Sequence, residues 1–170
     1  MLLSGAMEQK PDKQCLNTAL RLLTTRDHGC AELEKKLKQK GFDGRDIERV
    51  IKECIRMSYL DDERFSLSFM HQLVRKGYGP KRIQQRLHSR GVSMAMIQEV
   101  LSRHLPESVQ VETCRMAANK KLTSVAFVSR SGELKVRLYR FLFGRGFTPE
   151  VIRTILDEIA LKAKPADTGK

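Results

Sequence analysis

The chain has 170 residues, of which 41% are hydrophobic, 31% charged and only 6% aromatic. Its net charge is +12, and the excess is concentrated in residues 61–145, which hold sixteen basic and seven acidic side chains. Localised positive charge favours a polyanionic partner, either nucleic acid or an acidic protein groove. No apolar run approaches the ~18 residues of a membrane span, and the N-terminus lacks a signal-peptide pattern. We therefore expect a cytoplasmic protein with no membrane association.

Three stretches of the chain repeat one pattern, in which two apolar residues four apart precede a basic residue, a glycine and another apolar residue. The glycines are Gly41, Gly91 and Gly146. An internal repeat with a period of about 50 residues indicates stacked small units, because each unit is too small to bury its apolar face alone. The expected shape is elongated and curved.

Each repeat is predicted to contain three helices. The first helices are expected at roughly 14–26, 62–77 and 108–121 from their apolar periodicity. The second helix of each repeat carries an apolar pair and ends at the glycine, which fits a left-handed cap. The apolar pairs are Leu33 with Leu37, Ile83 with Leu87, and Leu138 with Leu142. The third helices begin at good N-cap residues, namely Asp43, Ser93 and Thr148, and Pro149 follows at the first helical position.

The predicted fold class is therefore all-α, with three tandem three-helix repeats of helix-turn-helix type. The expected boundaries are a disordered N-terminus at 1–11, repeats at 12–58, 59–106 and 107–162, and a loose tail at 163–170. The only β-like run, residues 125–128, is expected to be a loop between helices.

No catalytic motif is present, so we expect a protein that is not an enzyme. The cysteines Cys15, Cys30, Cys54 and Cys114 lie in no zinc-binding or disulfide spacing, and we expect no metal or cofactor. Cys54 is expected to be a small buried residue. The acidic cluster Asp61-Asp62-Glu63 could serve a nuclease only with further carboxylates nearby. Its favoured interpretation is that Asp61 or Asp62 caps the following helix.

The basic residues of the second and third repeats are the candidate site. Arg82, Arg86 and Arg90 are spaced by four and are expected to share one helix face, which Arg137 and Arg145 repeat. Forked guanidinium groups in such a row can bridge phosphates or carboxylates. The full candidate set is Arg75, Lys76, Lys81, Arg82, Arg86, Arg90, Arg137, Arg140 and Arg145. The aromatic residues Tyr59, Tyr78 and Phe147 are expected to pack rather than to stack on bases.

Several of these segments resemble the RecX-type regulatory proteins. The similarity is carried by Tyr59-Leu60-Asp61-Asp62-x-Arg64-Phe65, by Arg75-Lys76-Gly77-Tyr78-Gly79-Pro80-x-x-Ile83 and by Tyr139-x-Phe141-Leu142-x-x-Arg145-Gly146-Phe147. It also includes Arg26-Asp27-His28 upstream and spans about residues 15–160. The resemblance implies three tandem three-helix repeats and binding in the helical groove of the RecA recombinase filament. It further implies inhibition of ATP hydrolysis, strand exchange and coprotease action by RecA, and so modulation of homologous recombination and DNA repair.

Two other functions stay open at this point. A general DNA-binding protein, such as a repressor, would need one recognition helix and usually dimer symmetry, whereas this charge is spread over repeated faces. A nuclease using the acidic cluster is the weaker alternative. The expected partners are the RecA filament and both single- and double-stranded DNA, and the expected state is a monomer.

Overall fold

A computed structural model describes residues 12–124 and 131–163, and within these ranges the chain forms nine α-helices and no strand. The helices are α1 (Lys13–Thr25), α2 (Cys30–Gln39), α3 (Gly44–Arg56), α4 (Asp62–Arg75), α5 (Pro80–His88), α6 (Met94–His104), α7 (Glu107–Ser124), α8 (Ser131–Gly144) and α9 (Pro149–Ala163). The predicted all-α class with three helices per repeat is confirmed. The expected disordered segment at 1–11, the loop at 125–128 and residues 164–170 of the expected tail lie outside the described residues.

The predicted helix ends are confirmed in all three repeats. Gly41, Gly91 and Gly146 have φ angles of +87°, +84° and +88°. These left-handed residues follow α2, α5 and α8, where a glycine avoids the steric cost that a side chain would impose. The capping side chains also act as predicted. Asp43, Ser93 and Thr148 accept hydrogen bonds from backbone N–H groups in the first turns of α3, α6 and α9.

The described residues divide into two compact units. One contains residues 12–65 and 90–92, and the other contains 66–89 together with 93–124 and 131–163. In the first unit α1 packs against α2 and α3 around a core that includes Leu33, Leu37, Ile47 and Val50. The repeat boundaries and the overall shape expected from the sequence stay predictions.

In the second unit α7, α8 and α9 pack against one another around a core that includes Leu138, Leu142, Phe147 and Ile152. The apolar pair of the middle repeat, Ile83 and Leu87, is also fully buried. The apolar pairs predicted from the repeat are therefore the buried faces of the second helices. None of the helices in the described ranges is long and apolar enough to cross a membrane.

Candidate partner-binding surface

The turn between α4 and α5 is held by the turn between α8 and α9. The Gly79 N–H donates to the carbonyl of Arg145 (2.9 Å), and the Lys81 N–H donates to the carbonyl of Gly146 (3.1 Å). A Cβ on Gly79 would lie 2.6 Å from the Gly146 carbonyl oxygen, so only glycine allows the two backbones to come this close. The carbonyls of one turn thus satisfy N–H groups at the start of α5, which the helix itself leaves unbonded.

Arg145 supports the same junction through its side chain. Its guanidinium donates to the carbonyls of Lys76 and Gly77, the latter at 3.2 Å. It also lies 5.1 Å from the ring centroid of Tyr78 and 4.8 Å from that of Phe141. The two carbonyls and the two rings thus occupy the Arg145 guanidinium, which the sequence analysis assigns to a partner. Arg145 therefore contributes to packing in this unit, and its role in binding stays a prediction.

Arg86 lies against the same tyrosine. Its guanidinium carbon is 4.9 Å from the Tyr78 ring centroid, so two arginines contact this ring. The Nε atom of Arg86 is buried and has no hydrogen-bond partner among the described residues. Attraction between a cation and an aromatic ring contributes roughly 0.5–2 kcal/mol, more where water is excluded. The expectation that Tyr78 has a packing role fits this geometry, although its packing partners are cations.

Five basic side chains surround one cavity beside this junction. The cavity has a volume of about 440 Å³, and its wall includes Val74, Arg75, Lys76, Gly77, Met116, Ala117, Lys120, Lys121, Phe141 and Arg145. Three of the predicted site residues are therefore brought together here, with two lysines of α7. Among the described residues, no acidic side chain lines the cavity. The positive charges reinforce one another in a concave site, which raises the local concentration of anions.

The remaining predicted cations of this unit are exposed. Lys81 and Arg82 lie in the first turn of α5, and the Arg82 guanidinium contacts the Gln85 side chain at 3.3 Å. Arg137 and Arg140 lie on exposed positions of α8. The contribution of an exposed charge to binding depends on salt.

The expectation that Arg90 continues the helix face of Arg82 and Arg86 is wrong. Helix α5 ends at His88, before the C-cap Ser89, and the left-handed Gly91 then turns the chain away. The Arg90 guanidinium instead pairs with Glu32 at 3.1 Å, and the Glu32 side chain is only 16% exposed. Burial raises the pKa of Glu32, but the hydrogen bond from Arg26 and the charge of Arg90 outweigh it and leave the pKa below its ordinary value.

The acidic cluster is used for helix capping, as the favoured interpretation predicts. The Asp61 carboxylate accepts from the Arg64 N–H at 2.9 Å and so caps α4. The Asp62 carboxylate accepts from the Cys30 N–H at 2.7 Å, which caps α2 from a distant part of the chain. The capping role of Asp62 toward α2 is invisible in the sequence because the residues are 32 positions apart. No group of three potential metal ligands occurs among the described residues.

The thiols are held in their protonated forms. Burial is the main cause, and it raises the pKa of Cys15 to about 11 and the pKa values of Cys30 and Cys114 to about 12. Cys54 is fully buried, as predicted, and burial raises its pKa as well. A raised pKa makes these thiols poor nucleophiles and poor metal ligands at neutral pH.

The candidate set predicted from the sequence does not include the residues that complete the cavity. Lys120 and Lys121 lie near the end of α7, and no repeated motif marks this position. Met116 is 52% exposed and contributes apolar surface to the wall. The two adjacent lysines indicate positive charge in the sequence. Their separation from Arg75 in the sequence gives no indication that all three line one cavity.

The chain matches known proteins over most of its described length. Family models for the first, second and third three-helix domains of RecX match residues 15–54, 61–101 and 108–156. Regulatory protein RecX of Legionella pneumophila (strain Corby) is 36% identical over 146 residues, covering 86% of this chain and 95% of that protein. Regulatory protein RecX of Vibrio vulnificus (strain CMCP6) is 36% identical over 150 residues, covering 88% and 95%.

Two solved structures have the same fold. The crystal structure of RecX from Lactobacillus salivarius has a TM-score of 0.73 and 22% sequence identity, and the match covers 87% of this chain and 96% of that one. A second crystal structure, of a regulatory protein RecX, has a TM-score of 0.75 and 21% identity and covers 85% and 72%.

Proposed function

This chain belongs to the RecX family of regulatory proteins, and we propose that it binds the RecA recombinase filament and inhibits its ATPase, strand-exchange and coprotease activities. The family match over all three repeats is the observation that carries this proposal. The concentration of positive charge in residues 61–145 supports it, because a filament of protein and DNA presents a polyanionic groove. Through the filament, the protein would modulate homologous recombination and DNA repair.

The proposed mechanism involves binding without catalysis. The acidic cluster caps two helices, and the described thiols are held protonated, so these groups offer no obvious hydrolytic chemistry. A ligand that prefers one state of the filament shifts its subunits toward that state. We propose that the bound protein opposes the subunit rearrangements that ATP turnover and strand exchange require.

The first turn of α5 is the part of the surface that we assign to the partner. Lys81 and Arg82 are exposed, and the carbonyls of the α8–α9 turn hold the backbone beneath them. Their backbone is therefore fixed while their side chains stay exposed. Arg86 is less suited to a test, because its contact with Tyr78 means that a substitution would also disturb packing.

The test is the RecA ATPase on single-stranded DNA, measured against increasing concentrations of the Lys81→Glu/Arg82→Glu double variant. The expected result is at least a tenfold rise in the concentration that gives half-inhibition, with weaker salt dependence because cationic contacts are lost. The matched control is Lys35→Glu/Lys40→Glu, which makes the same change of charge at exposed positions of the first repeat. Melting curves of both variants should match that of the unaltered protein.

Three outcomes would contradict the proposal. Absence of RecA inhibition by the unaltered protein would remove the assigned function. Equal loss of inhibition in the variant and its control would show that total charge, rather than this surface, determines binding. Tight binding to duplex DNA with no effect on RecA would favour a general DNA-binding protein.

A further inference from the structure

We propose that the cavity between α4, α7 and α8 is a binding site for a nucleoside polyphosphate. The first basis is its charge. Arg75, Lys76, Lys120, Lys121 and Arg145 contribute five positive charges, and no acidic residue among those described lies in its wall. Cations held this close repel one another, and that repulsion is relieved when a multiply charged anion enters.

The positions of two of the cations are fixed by contacts within the protein. Arg145 is held by two carbonyls and two aromatic rings, and the Lys121 ammonium lies 5.3 Å from the Phe141 ring centroid. Because these side chains are ordered before the ligand arrives, binding costs less conformational entropy. Arg75, Lys76 and Lys120 are exposed and can close around phosphate oxygens.

The second basis is the apolar part of the wall, which an inorganic anion would leave uncovered. Val74, Met116 and Ala117 line the cavity, and Met116 is 52% exposed. A methionine thioether makes favourable contacts with the edges of aromatic rings and adapts to their shape. An anion that carries a planar, weakly polar ring therefore matches both parts of the wall.

The volume of the cavity favours a small molecule over an extended polymer as its ligand. A volume of about 440 Å³ lies within the range of roughly 300–1,000 Å³ that is usual for small-molecule sites. Phe141 has Arg145 and Lys121 against its ring, so it is poorly placed to stack on the successive bases of a strand. The same phosphate and base chemistry could nevertheless come from a free nucleotide or from one nucleotide of single-stranded DNA, and the experiment separates the two.

The experiment is isothermal titration of the full chain, without RecA, using ATP as the probe at low ionic strength with EDTA. We expect saturable binding at one site, and at least a tenfold rise in Kd for the Arg75→Gln/Lys120→Gln variant. The matched control Lys135→Gln/Arg140→Gln removes one lysine and one arginine from exposed α8 positions that do not line the cavity, and it should bind ATP as the unaltered protein does. Far-UV circular dichroism should be unchanged in both.

Two further arms test the apolar contact and the source of the ligand. Met116→Ser should weaken ATP binding severalfold and leave binding of inorganic triphosphate unchanged. An oligonucleotide of thymidine should compete with ATP only if strand phosphates use the same cavity, and binding of the oligonucleotide with no binding of ATP would overturn the proposal.

Failure of this proposal is distinguishable from failure of the proposed function, because the titrations contain no RecA. Equal affinities for ATP and inorganic triphosphate would overturn the nucleoside assignment, as would binding of an acidic peptide in preference to either. Equal loss of ATP binding in the cavity variant and in the α8 control would show that the anion is attracted by net charge alone.

Discussion

Three left-handed glycines allow backbone strain to be separated from packing at the junctions of this fold. Gly41, Gly91 and Gly146 have φ angles within a few degrees of one another, so an alanine meets the same local strain at each. Their surroundings differ. A Cβ at Gly41 would have nothing within 4 Å, whereas a Cβ at Gly146 would lie 2.4 Å from the Arg82 backbone nitrogen and 2.7 Å from its Cβ.

The expected losses of unfolding free energy follow from these distances. The left-handed conformation costs an L-residue roughly 1–2 kcal/mol, and alanine recovers about 0.4–1 kcal/mol by restricting the unfolded chain. We therefore expect Gly41→Ala to cost about 1 kcal/mol. Gly146→Ala must also displace the start of α5, and forced overpacking typically adds ~1–3 kcal/mol. Its total is expected to be about 2–4 kcal/mol.

Gly91→Ala provides an internal check, because the atom it would meet can be removed. A Cβ at Gly91 would lie 2.4 Å from the Ala31 Cβ, and the next nearest atom is the Ala31 Cα at an ordinary 3.6 Å. The double variant Gly91→Ala/Ala31→Gly should therefore relieve the clash with the Ala31 Cβ but keep the backbone strain of the left-handed conformation at position 91. A coupling energy of about 1 kcal/mol or more is expected between the two substitutions.

The measurement is urea unfolding followed by circular dichroism at 222 nm for the unaltered chain, the three alanine variants, Ala31→Gly and the double variant. Gly146→Ala should lose more unfolding free energy than Gly41→Ala. Adding Ala31→Gly to Gly91→Ala should reduce its loss to about that of Gly41→Ala. Equal losses at Gly41 and Gly146, or no coupling between Gly91 and Ala31, would refute the reasoning that packing limits these positions.

Two other predictions follow from the buried titratable groups. Because burial raises the pKa of Cys15 to about 11 and of Cys114 to about 12, both should react with a thiol reagent at pH 8 only slowly until urea exposes them; prompt labelling in the native state would contradict this. Burial also lowers the pKa of His28, so the unfolded chain binds a proton first and stability should fall as pH drops below about 6.5. His28→Asn should flatten that dependence, the exposed control His71→Asn should keep it, and equal profiles for both would contradict the assignment.

The helices could be predicted from the sequence because their signals are local. Apolar residues spaced by three and four, a capping side chain and a glycine each lie within one helix or its ends. Asp43 and Ser93 cap α3 and α6 as their positions indicate. The cap on α2 could not be found in this way, because its first N–H is bonded by Asp62, a residue on another helix.

The candidate site was harder to predict, because charge in a sequence carries no information about what neutralises it. Arg82 and Arg90 are both basic residues of the middle repeat, yet Arg82 is exposed and Arg90 pairs with Glu32, whose side chain is only 16% exposed. The cavity also depends on residues from α4, α7 and α8 whose proximity is set by packing. The sign of each charge can be predicted from the sequence, whereas tertiary contacts determine which charged side chains are exposed and which are paired within the fold.

The basic residues before Gly91 and Gly146 are explained by tertiary contacts. A Cβ on either glycine would meet a neighbouring helix, and the arginine before it has a partner in the fold, Arg90 with Glu32 and Arg145 with two carbonyls. Where the glycine at position 41 meets nothing, the preceding lysine is exposed. A packing role therefore accounts for Arg90 and Arg145, but not for the exposed lysine.

Charges that the first repeat lacks are a better guide to binding than charges that recur. Lys81 and Arg82 occupy the positions that Ala31 and Glu32 hold one repeat earlier, so the common fold does not require a cation there. Both are exposed, and their backbone is fixed from below by the α8–α9 turn. This difference between repeats is the reason to expect that reversing Lys81 and Arg82 will weaken inhibition while leaving the helices intact.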